Sequence, residues 1–194
     1  MNTLTEFNEK FIREHKCELC NLEINKGENG RIWGSGKLNS LFFCGLSPTF
    51  WRRGKTNNAF EDDILGKFMD ECLKKISLSR NEVYFTNILK ESTKDNELPS
   101  NEVVDEHFKF LIEEIKLVNP TLIILMGNDV NSIFKENGAS IGSNSEVVSF
   151  KSFKCIKIRH PSFIKRNNLY REYDEEFKKI NDLLKIREYW KGLR

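Results

Sequence analysis

Three apolar runs of the chain each open into a polar loop, and these loops carry the side chains best suited to chemistry. The first loop runs from Gly45 to Asp63, the second begins at Asn87, and the third contains His160. The amide of Asn87 can both donate and accept hydrogen bonds, so it can read the polar edge of a ligand. His160 can donate to a developing anion, and a carboxylate such as Asp63 can stabilise a developing cation. Together these groups suit a reaction that separates charge.

The elements that must position these loops alternate along the chain as strand and helix. A buried strand reads as a short continuous apolar run, and a helix reads as apolar residues at three- or four-residue spacing. These patterns predict strands at 40–44, 82–86, 121–127 and 155–158, and helices at 61–75, between Ser100 and Asn119, at 128–136 and at 170–184. Parallel neighbours need such crossovers, so we expect an α/β fold: a three-layer α/β/α sandwich with a central four-stranded parallel sheet. The loop 138–148 can hold a further minor strand.

The composition is typical of a soluble globular protein. Of the 194 residues, 39% are apolar and 31% are charged, which is enough for one domain over 1–194 with a substantial core. No apolar run approaches the roughly 20 residues needed to span a bilayer. The N-terminal segment 1–16 is expected to form a short amphipathic helix rather than a signal peptide, which predicts a cytoplasmic location.

The charge distribution restricts where a polyanion could bind. A net charge of only +2 means that any such site must be local. Two basic clusters could provide it, namely Arg52, Arg53 and Lys55 in the first loop, and Arg159, Lys165 and Arg166 in the third. The alternative for each cluster is an ordinary solvated surface.

The cysteines separate into one pair and three single residues. An odd count of five, in a chain without a secretion signal, argues against a disulfide framework. Cys44, Cys72 and Cys155 lie in apolar periodic segments and are expected to be core residues. Cys17 and Cys20 form a CxxC motif instead.

The order of these motifs resembles that of the uracil-DNA glycosylase superfamily, in particular its iron-sulfur-bearing families four and five. The shared features, in chain order, are the CxxC motif, the Gly45-Leu46-Ser47-Pro48 loop, Phe60, Thr86-Asn87, a Pro-x-x-Glu helix start, a strand ending in glycine, and His160-Pro161-Ser162. Leu46 stands where family four has a glutamate. Asp63 matches an aspartate of family five, and Asn87 matches an asparagine of family four. The chain therefore resembles a hybrid or a divergent branch.

The resemblance implies a base-flipping reaction on DNA. The extruded base would lie against Gly45, Leu46, Ser47, Pro48, Phe60 and Asn87. His160 would donate to the leaving base, and Asp63 would stabilise the cationic sugar and orient water. Phe163 and Ile164 would fill the gap in the base stack, while Ser162 and both basic clusters would contact DNA. Each role has an alternative, since Asp63 could merely stabilise a helix start and Phe60 could simply belong to the core.

The resemblance also implies a metal site near the CxxC motif. The related families hold an iron-sulfur cluster with four cysteines, and the matching positions here are Cys17, Cys20, Glu91 and His107. Two thiolates are too few for a conventional four-iron cluster, whereas this set is acceptable for zinc. The sequence leaves two alternatives, a structural zinc and a metal-free cluster held by hydrogen bonds or apolar contacts. The chemistry itself is expected to need no cofactor.

The sequence leaves three functions to weigh. The leading hypothesis is a monomeric, monofunctional DNA glycosylase that removes uracil or a related deaminated base. Leu46 in place of a carboxylate, with Ser47 beside it, favours instead a catalytically silent protein that binds uracil-containing or modified DNA. A hydrolase of nucleotides or other small molecules is the third hypothesis, because α/β architectures host many activities.

Overall fold

The structure is a computed structural model that describes residues 3–26, 30–49, 56–61, 64–140 and 145–192, of which 187–192 are described as backbone only. Its strands are β1 (Ser35–Gly36), β2 (Leu41–Gly45), β3 (Tyr84–Asn87), β4 (Leu122–Met126), β5 (Val147–Phe150) and β6 (Phe153–Ile158). Its α-helices are α1 (Leu4–Glu14), α2 (Ile64–Lys75), α3 (Asn101–Val118), α4 (Asn128–Glu136), α5 (Pro161–Asn167) and α6 (Tyr170–Gly192).

The strands within these ranges form one mixed sheet in the order β1-β3-β2-β4-β6-β5. The central strands β3, β2, β4 and β6 are mutually parallel, whereas the edge strands β1 and β5 run antiparallel to their neighbours. The predicted parallel strands are therefore present at the centre. The prediction that the sheet has four strands is wrong, because β1 and the half-exposed β5 extend it at both edges.

Helices cover both faces of the sheet, which gives the α/β/α layering. The side chains of β2 contact both helical layers. Phe42 and Cys44 face one apolar cluster with α3 and α4, and Phe43 faces a second cluster with α2 and α6. All three side chains are fully buried. Alternate strand residues point to opposite faces, and each buried Phe stabilises the fold by about 1.5–3 kcal/mol. A strand that is apolar at every position must lie between two layers.

The helices follow their sequence signals, with one addition. α3 ends at Val118, and its C-cap Asn119 adopts the left-handed conformation (φ 50°) before Pro120. α5 was not predicted, because its seven residues are too few to show a helical period. His160 caps it and Pro161 occupies its first turn, where a missing N–H costs nothing. None of the described helices is long and apolar enough to cross a membrane.

The parallel strands bring their carboxyl ends to one edge of the sheet. Gly45 pairs with Asn87 across β2 and β3, and Met126 pairs with Ile158 across β4 and β6. The loops that follow these four strands therefore start side by side. Open α/β sheets bind their ligands at this edge.

Candidate active site

The loops at the carboxyl edge of the sheet surround a cavity of about 520 Å³. That volume is typical of pockets that enclose a small organic group. Residues predicted from the sequence line it from the loop after β2, the end of β3, the segment between β6 and α5, and α5 itself: Leu46, Ser47, Pro48, Phe60, Asn87, His160, Ser162, Phe163 and Arg166. Chain segments far apart in sequence thus converge on one space.

Gly45 brings Phe60 and Asn87 together beside this cavity. A Cβ at position 45 would lie 2.4 Å from Oδ1 of Asn87 and 2.8 Å from Cζ of Phe60, so only glycine allows this approach. Asn87 is 3% exposed, and its Oδ1 has no hydrogen-bond partner among the residues that the structure describes. A buried oxygen without a partner is costly. The arrangement therefore offers an acceptor to a donor group on a ligand.

Phe60 supplies an apolar wall and is held in an uncommon conformation. Its φ of 57° lies in the left-handed region, which large side chains rarely adopt. The backbone of α2 packs directly on it, because a Cβ at Gly66 would lie 2.0 Å from the Phe60 carbonyl oxygen. The Phe60 ring is tilted against the Phe85 ring at 5.7 Å. Strain of this kind persists where the surrounding packing determines the conformation, and it is frequent at functional sites.

A buried charged network fixes the backbone of Asn87. Lys90 Nζ donates to the Asn87 carbonyl, to Thr86 Oγ1 and to Glu114 Oε2, each at 2.7 Å. The Lys90 and Glu114 side chains are 0% and 1% exposed. The Tyr84 hydroxyl donates to Glu114 at 2.9 Å, and burial together with this carboxylate raises the pKa of Tyr84 well above its usual value. A buried network whose donors and acceptors are paired makes the end of β3 rigid.

His160 is oriented by its position as the N-cap of α5. Its Nδ1 accepts the backbone N–H of Ser162 at 3.2 Å and lies 2.7 Å from the Ser162 hydroxyl. With Nδ1 as the acceptor, the neutral ring carries its proton on Nε2, which becomes a hydrogen-bond donor. Gly127 lies against the ring at φ 105°, and a Cβ there would be 3.2 Å from the His160 Cβ. Both the ring orientation and its tautomer are thus set by local contacts.

The residues predicted to contact DNA differ in their surroundings. Phe163 is 44% exposed at the cavity. Arg159 forms an ion pair of 2.5 Å with Glu176, and Lys165 lies 5.4 Å from the centre of the Phe68 ring. The remaining predicted residues lie outside the described part of the chain: Arg52, Arg53, Lys55 and the catalytic candidate Asp63.

The structure corrects one prediction and adds residues to the cavity. Ile164, expected beside Phe163 as a wedge, is fully buried in the core, so that prediction is wrong. Asn96 and Asp129 line the cavity and were not predicted. Asp129 lies in the first turn of α4, directly after β4. Because ligands bind beyond the carboxyl ends of parallel strands, this position could have indicated Asp129 from the sequence. Asn96 belongs to the irregular segment after β3 and carries no distinguishing sequence pattern.

The predicted metal-site residues lie together in a second cluster, none of whose members lines the cavity. Cys17 Sγ is 3.8 Å from His107 Nε2, and His107 Nε2 is 3.4 Å from Glu91 Oε2. Cys20 Sγ is 3.6 Å from the other oxygen of Glu91, Oε1. Burial raises the pKa of Cys17 to about 12 and lowers the pKa of His107 to about 2. The free thiol is therefore protonated and the free imidazole neutral.

Two further side chains complete this cluster. His15 Nε2 lies 3.2 Å from Cys17 Sγ, and Arg31 Nε donates to Glu91 Oε1 at 2.7 Å. The His-x-Cys-x-x-Cys spacing could have indicated His15, whereas Arg31 has no comparable signal. The donors here are two thiols, two imidazoles and one carboxylate, with a guanidinium beside them. This set does not fit a four-iron cluster, which requires four thiolates.

Comparison with known proteins identifies similar chains. A family model described as the Uracil DNA glycosylase superfamily matches residues 34–185. The type-4 uracil-DNA glycosylase of Archaeoglobus fulgidus is 32% identical, over 94% of this chain and 94% of that protein. The type-4 uracil-DNA glycosylase of Thermotoga maritima is 27% identical, over 89% of this chain and 92% of that protein. That of Sulfurisphaera tokodaii is 26% identical, over 94% and 86%.

Proposed function

The chain belongs to the uracil-DNA glycosylase superfamily, and we propose that it hydrolyses the N-glycosidic bond of uracil, or of a related deaminated base, in DNA. The observation that carries this proposal is the buried Asn87 amide, set against the Phe60 ring at the cavity, whose oxygen is unpaired among the residues that the structure describes. Three relatives that bear the name type-4 uracil-DNA glycosylase support the same activity. The protein would then act in base-excision repair.

Base recognition would rest on Asn87 and Phe60. Uracil presents an N3–H donor beside a C4 carbonyl acceptor, so the Asn87 Oδ1 can accept from N3–H while its Nδ2 donates to the carbonyl. Cytosine presents the reverse pattern at these atoms and would leave both groups of the amide unpaired. The cost of unpaired buried groups makes such a site selective. The Phe60 ring would stack on the extruded base.

Bond cleavage would rest on His160 and a carboxylate. As the bond from the base to C1′ breaks, its electron pair leaves with uracil and the sugar becomes cationic. His160 Nε2–H would donate to the oxyanion that develops on the base. Water would then attack C1′, with its proton passing to a base or to solvent. Asp63 is the proposed partner of the cationic sugar, and Asp129, which lines the cavity, is a second carboxylate for this role.

Duplex contacts would surround the cavity. Phe163 is exposed at its rim and can fill the space left by the flipped base, while Arg166 beside it can approach a phosphate. Arg52, Arg53, Lys55, Lys165 and Arg159 are proposed as further phosphate contacts. The chain is proposed to act as a monomeric single domain over 1–194. No step of this mechanism requires a cofactor.

A second candidate function is a catalytically silent protein that binds uracil-containing or modified DNA. Leu46 favours it, because this residue lines the cavity where the resemblance implies a glutamate. The decisive assay incubates the protein, in molar excess, with labelled single-stranded and duplex oligonucleotides that carry one uracil. Alkali then cleaves any abasic site. Strand scission only at uracil supports the glycosylase. Preferential binding of the uracil oligonucleotide without scission would show instead a catalytically silent DNA-binding protein.

Variants of the same protein assign the roles. His160→Ala is expected to lower the cleavage rate by about 10²–10³, the usual effect of removing an oxyanion donor. Asp63→Asn and Asp129→Asn identify the carboxylate, because only the one that stabilises the sugar should reduce the rate. Asp105→Asn, on the exposed side of α3, is the matched control and should leave the rate unchanged.

A further inference from the structure

The cluster around the CxxC motif contains a closed ring of four donor atoms. We call it the donor ring and define it as His15 Nε2, Cys17 Sγ, His107 Nε2 and Glu91 Oε2. Successive atoms around the ring are separated by 3.2, 3.8, 3.4 and 3.8 Å. A tetrahedral zinc ion with Zn–N and Zn–S bonds of about 2.0–2.3 Å holds its ligand atoms about 3.3–3.8 Å apart. These four separations are close to that range, and the donor atoms of His15, Glu91 and His107 all lie within 4.8 Å of one another.

One atom of the donor ring is buried and lacks a partner within the described part of the chain. Glu91 is 0% exposed, and its Oε1 is satisfied by Arg31 Nε at 2.7 Å. Its Oε2 has no hydrogen-bond partner among the residues that the structure describes. A buried carboxylate oxygen without a donor is costly, and a cation is the natural compensation. This atom points to the two imidazole nitrogens of the ring.

The outer contacts suit metal ligation as well. His15 Nδ1 lies 2.9 Å from Glu106 Oε1, although the contact lacks hydrogen-bond geometry. A carboxylate at this distance favours the proton on Nδ1 by charge attraction, which leaves the Nε2 lone pair facing the ring. Carboxylates in this position orient metal-binding imidazoles in many proteins. Arg31 likewise orients Glu91, because it donates to the carboxylate oxygen that faces away from the ring.

We propose that the donor ring binds one structural zinc ion, with His15 as a ligand and Cys20 outside the ligand set. Cys20 Sγ lies within 4.8 Å of the donor atoms of His15 and Cys17. Its hydrogen-bond contacts, however, are to the outer ion pair, at 3.6 Å from Glu91 Oε1 and 3.6 Å from Arg31 Nη2. The proposal thus replaces one residue of the set that the sequence indicates. Mixed nitrogen, sulfur and carboxylate donors at tetrahedral spacing select zinc among common metals.

Charge and protons balance for this ion. Binding requires Cys17 to lose its proton to solvent, after which the thiolate and the Glu91 carboxylate neutralise Zn²⁺. Both imidazoles bind as neutral ligands. The proposal does not depend on glycosylase activity, because no residue of the donor ring lines the cavity.

The competing state is a metal-free hydrogen-bonded cluster. Its support is the backbone amide of Lys90, which approaches His107 Nδ1 at 3.4 Å and would keep the ring proton on Nε2. That separation is long for an N–H···N hydrogen bond. The tautomer of His107 therefore distinguishes the two states: a zinc ligand has its Nε2 bound to metal, and the metal-free cluster has Nε2 protonated.

The first measurement is the metal content of the full chain, purified without chelator or affinity tag from zinc-supplemented medium. We expect about one zinc per chain, because a structural site should be nearly full, and less than about 0.2 would overturn the proposal. Long-range ¹H–¹⁵N spectra of the histidine rings then report the tautomer. Protonated Nε2 of His107 in the zinc-loaded protein would also overturn it.

Variants distinguish the donor ring from the set indicated by the sequence. Cys17→Ser and His15→Ala should lose zinc, whereas Cys20→Ser should retain about one per chain. If Cys20→Ser loses the metal as fully as Cys17→Ser, or if His15→Ala retains it, the proposed ligand set is wrong.

If a ligand variant does not fold, the absorption spectrum of the cobalt-substituted protein tests the ligand set instead. Wild-type protein and Cys20→Ser should show the same thiolate-to-cobalt absorption, since one sulfur binds the metal in both. A halved intensity in Cys20→Ser would mean that two sulfurs bind in the wild type, which contradicts the proposal. A chelator should lower the melting temperature of both proteins.

Discussion

Replacing Gly45 with alanine tests whether Asn87 and Phe60 form the base-binding site. The added Cβ would lie 2.4 Å from Asn87 Oδ1 and 2.8 Å from Phe60 Cζ, whereas ordinary contact begins at 3.4 Å. The amide oxygen must therefore retreat by about 1.0 Å (3.4 minus 2.4) and the ring by about 0.6 Å (3.4 minus 2.8). One methyl group displaces both proposed contacts with the base.

The structure sets the size of the expected effect. The backbone of Asn87 is held by Lys90 Nζ at 2.7 Å, so the side chain rather than the strand must move. A displacement of about 1 Å in a positioning group can lower a catalysed rate by about 10²-fold. The extra methyl group should also cost about 1–3 kcal/mol of folding free energy through overpacking. We expect a variant that folds but removes uracil about 100-fold more slowly.

The assay is single-turnover cleavage of a uracil oligonucleotide with enzyme in excess, at a temperature where urea unfolding shows the variant to be folded. Gly138→Ala is the matched control. Gly138 has a φ of +97°, a Cβ there would meet nothing within 4 Å, and the residue does not line the cavity. Alanine at that φ costs stability through strain but leaves the site intact. If Gly45→Ala cleaves as fast as Gly138→Ala, the proposed base contacts are wrong.

Two further predictions concern stability. Lys90→Met should lower the free energy of unfolding by about 3–5 kcal/mol, because it leaves Glu114 buried and unpaired. The control Lys75→Met breaks an ion pair whose side chains are both about half exposed, and should cost at most about 1 kcal/mol. Urea denaturation measures both costs, and equal values would contradict a stabilising buried network. Burial outweighs the ion pair with Arg159 and raises the pKa of Glu176. The folded state then binds this proton more tightly than the unfolded state, so wild-type stability should fall relative to Glu176→Gln as pH rises upward from the ordinary glutamate value of 4.5. Urea unfolding midpoints of both proteins across that pH range test this prediction. If the wild type became more stable relative to Glu176→Gln as pH rises, the ion pair with Arg159 would outweigh burial.

The sequence predicts the central strands well and the edge strands poorly, for a physical reason. β4 is buried on both faces, so its run is continuously apolar and can be recognised directly. β1 has only two residues, and β5 is largely exposed, so neither needs an apolar run. Their pairing depends on a neighbour that lies elsewhere in the chain. Short edge strands therefore appear only in the assembled sheet.

The candidate site also contains some residues that the sequence indicates and others that only the tertiary fold brings to the cavity. Motif order is enough to indicate Phe60, Asn87 and His160 as candidate site residues, and all three line the cavity. Each follows a recognisable apolar run or belongs to a recognisable motif. Asp129 reaches the cavity only because β4 lies between β2 and β6 in the sheet. That order is a property of the tertiary fold rather than of any local sequence pattern.

The sequence by itself determined the α/β class, the alternation of elements, the membership of the superfamily and most candidate residues, since periodicity and motif spacing are local properties. The tertiary structure decided which side chains touch. Around the CxxC motif, spacing favoured Cys20, but the fold directs Cys20 toward Arg31 and brings His15 against Cys17 instead. The reason is geometric: packing of α1 and α3 sets distances between residues about 90 positions apart, as for Cys17 and His107, and no local pattern encodes them.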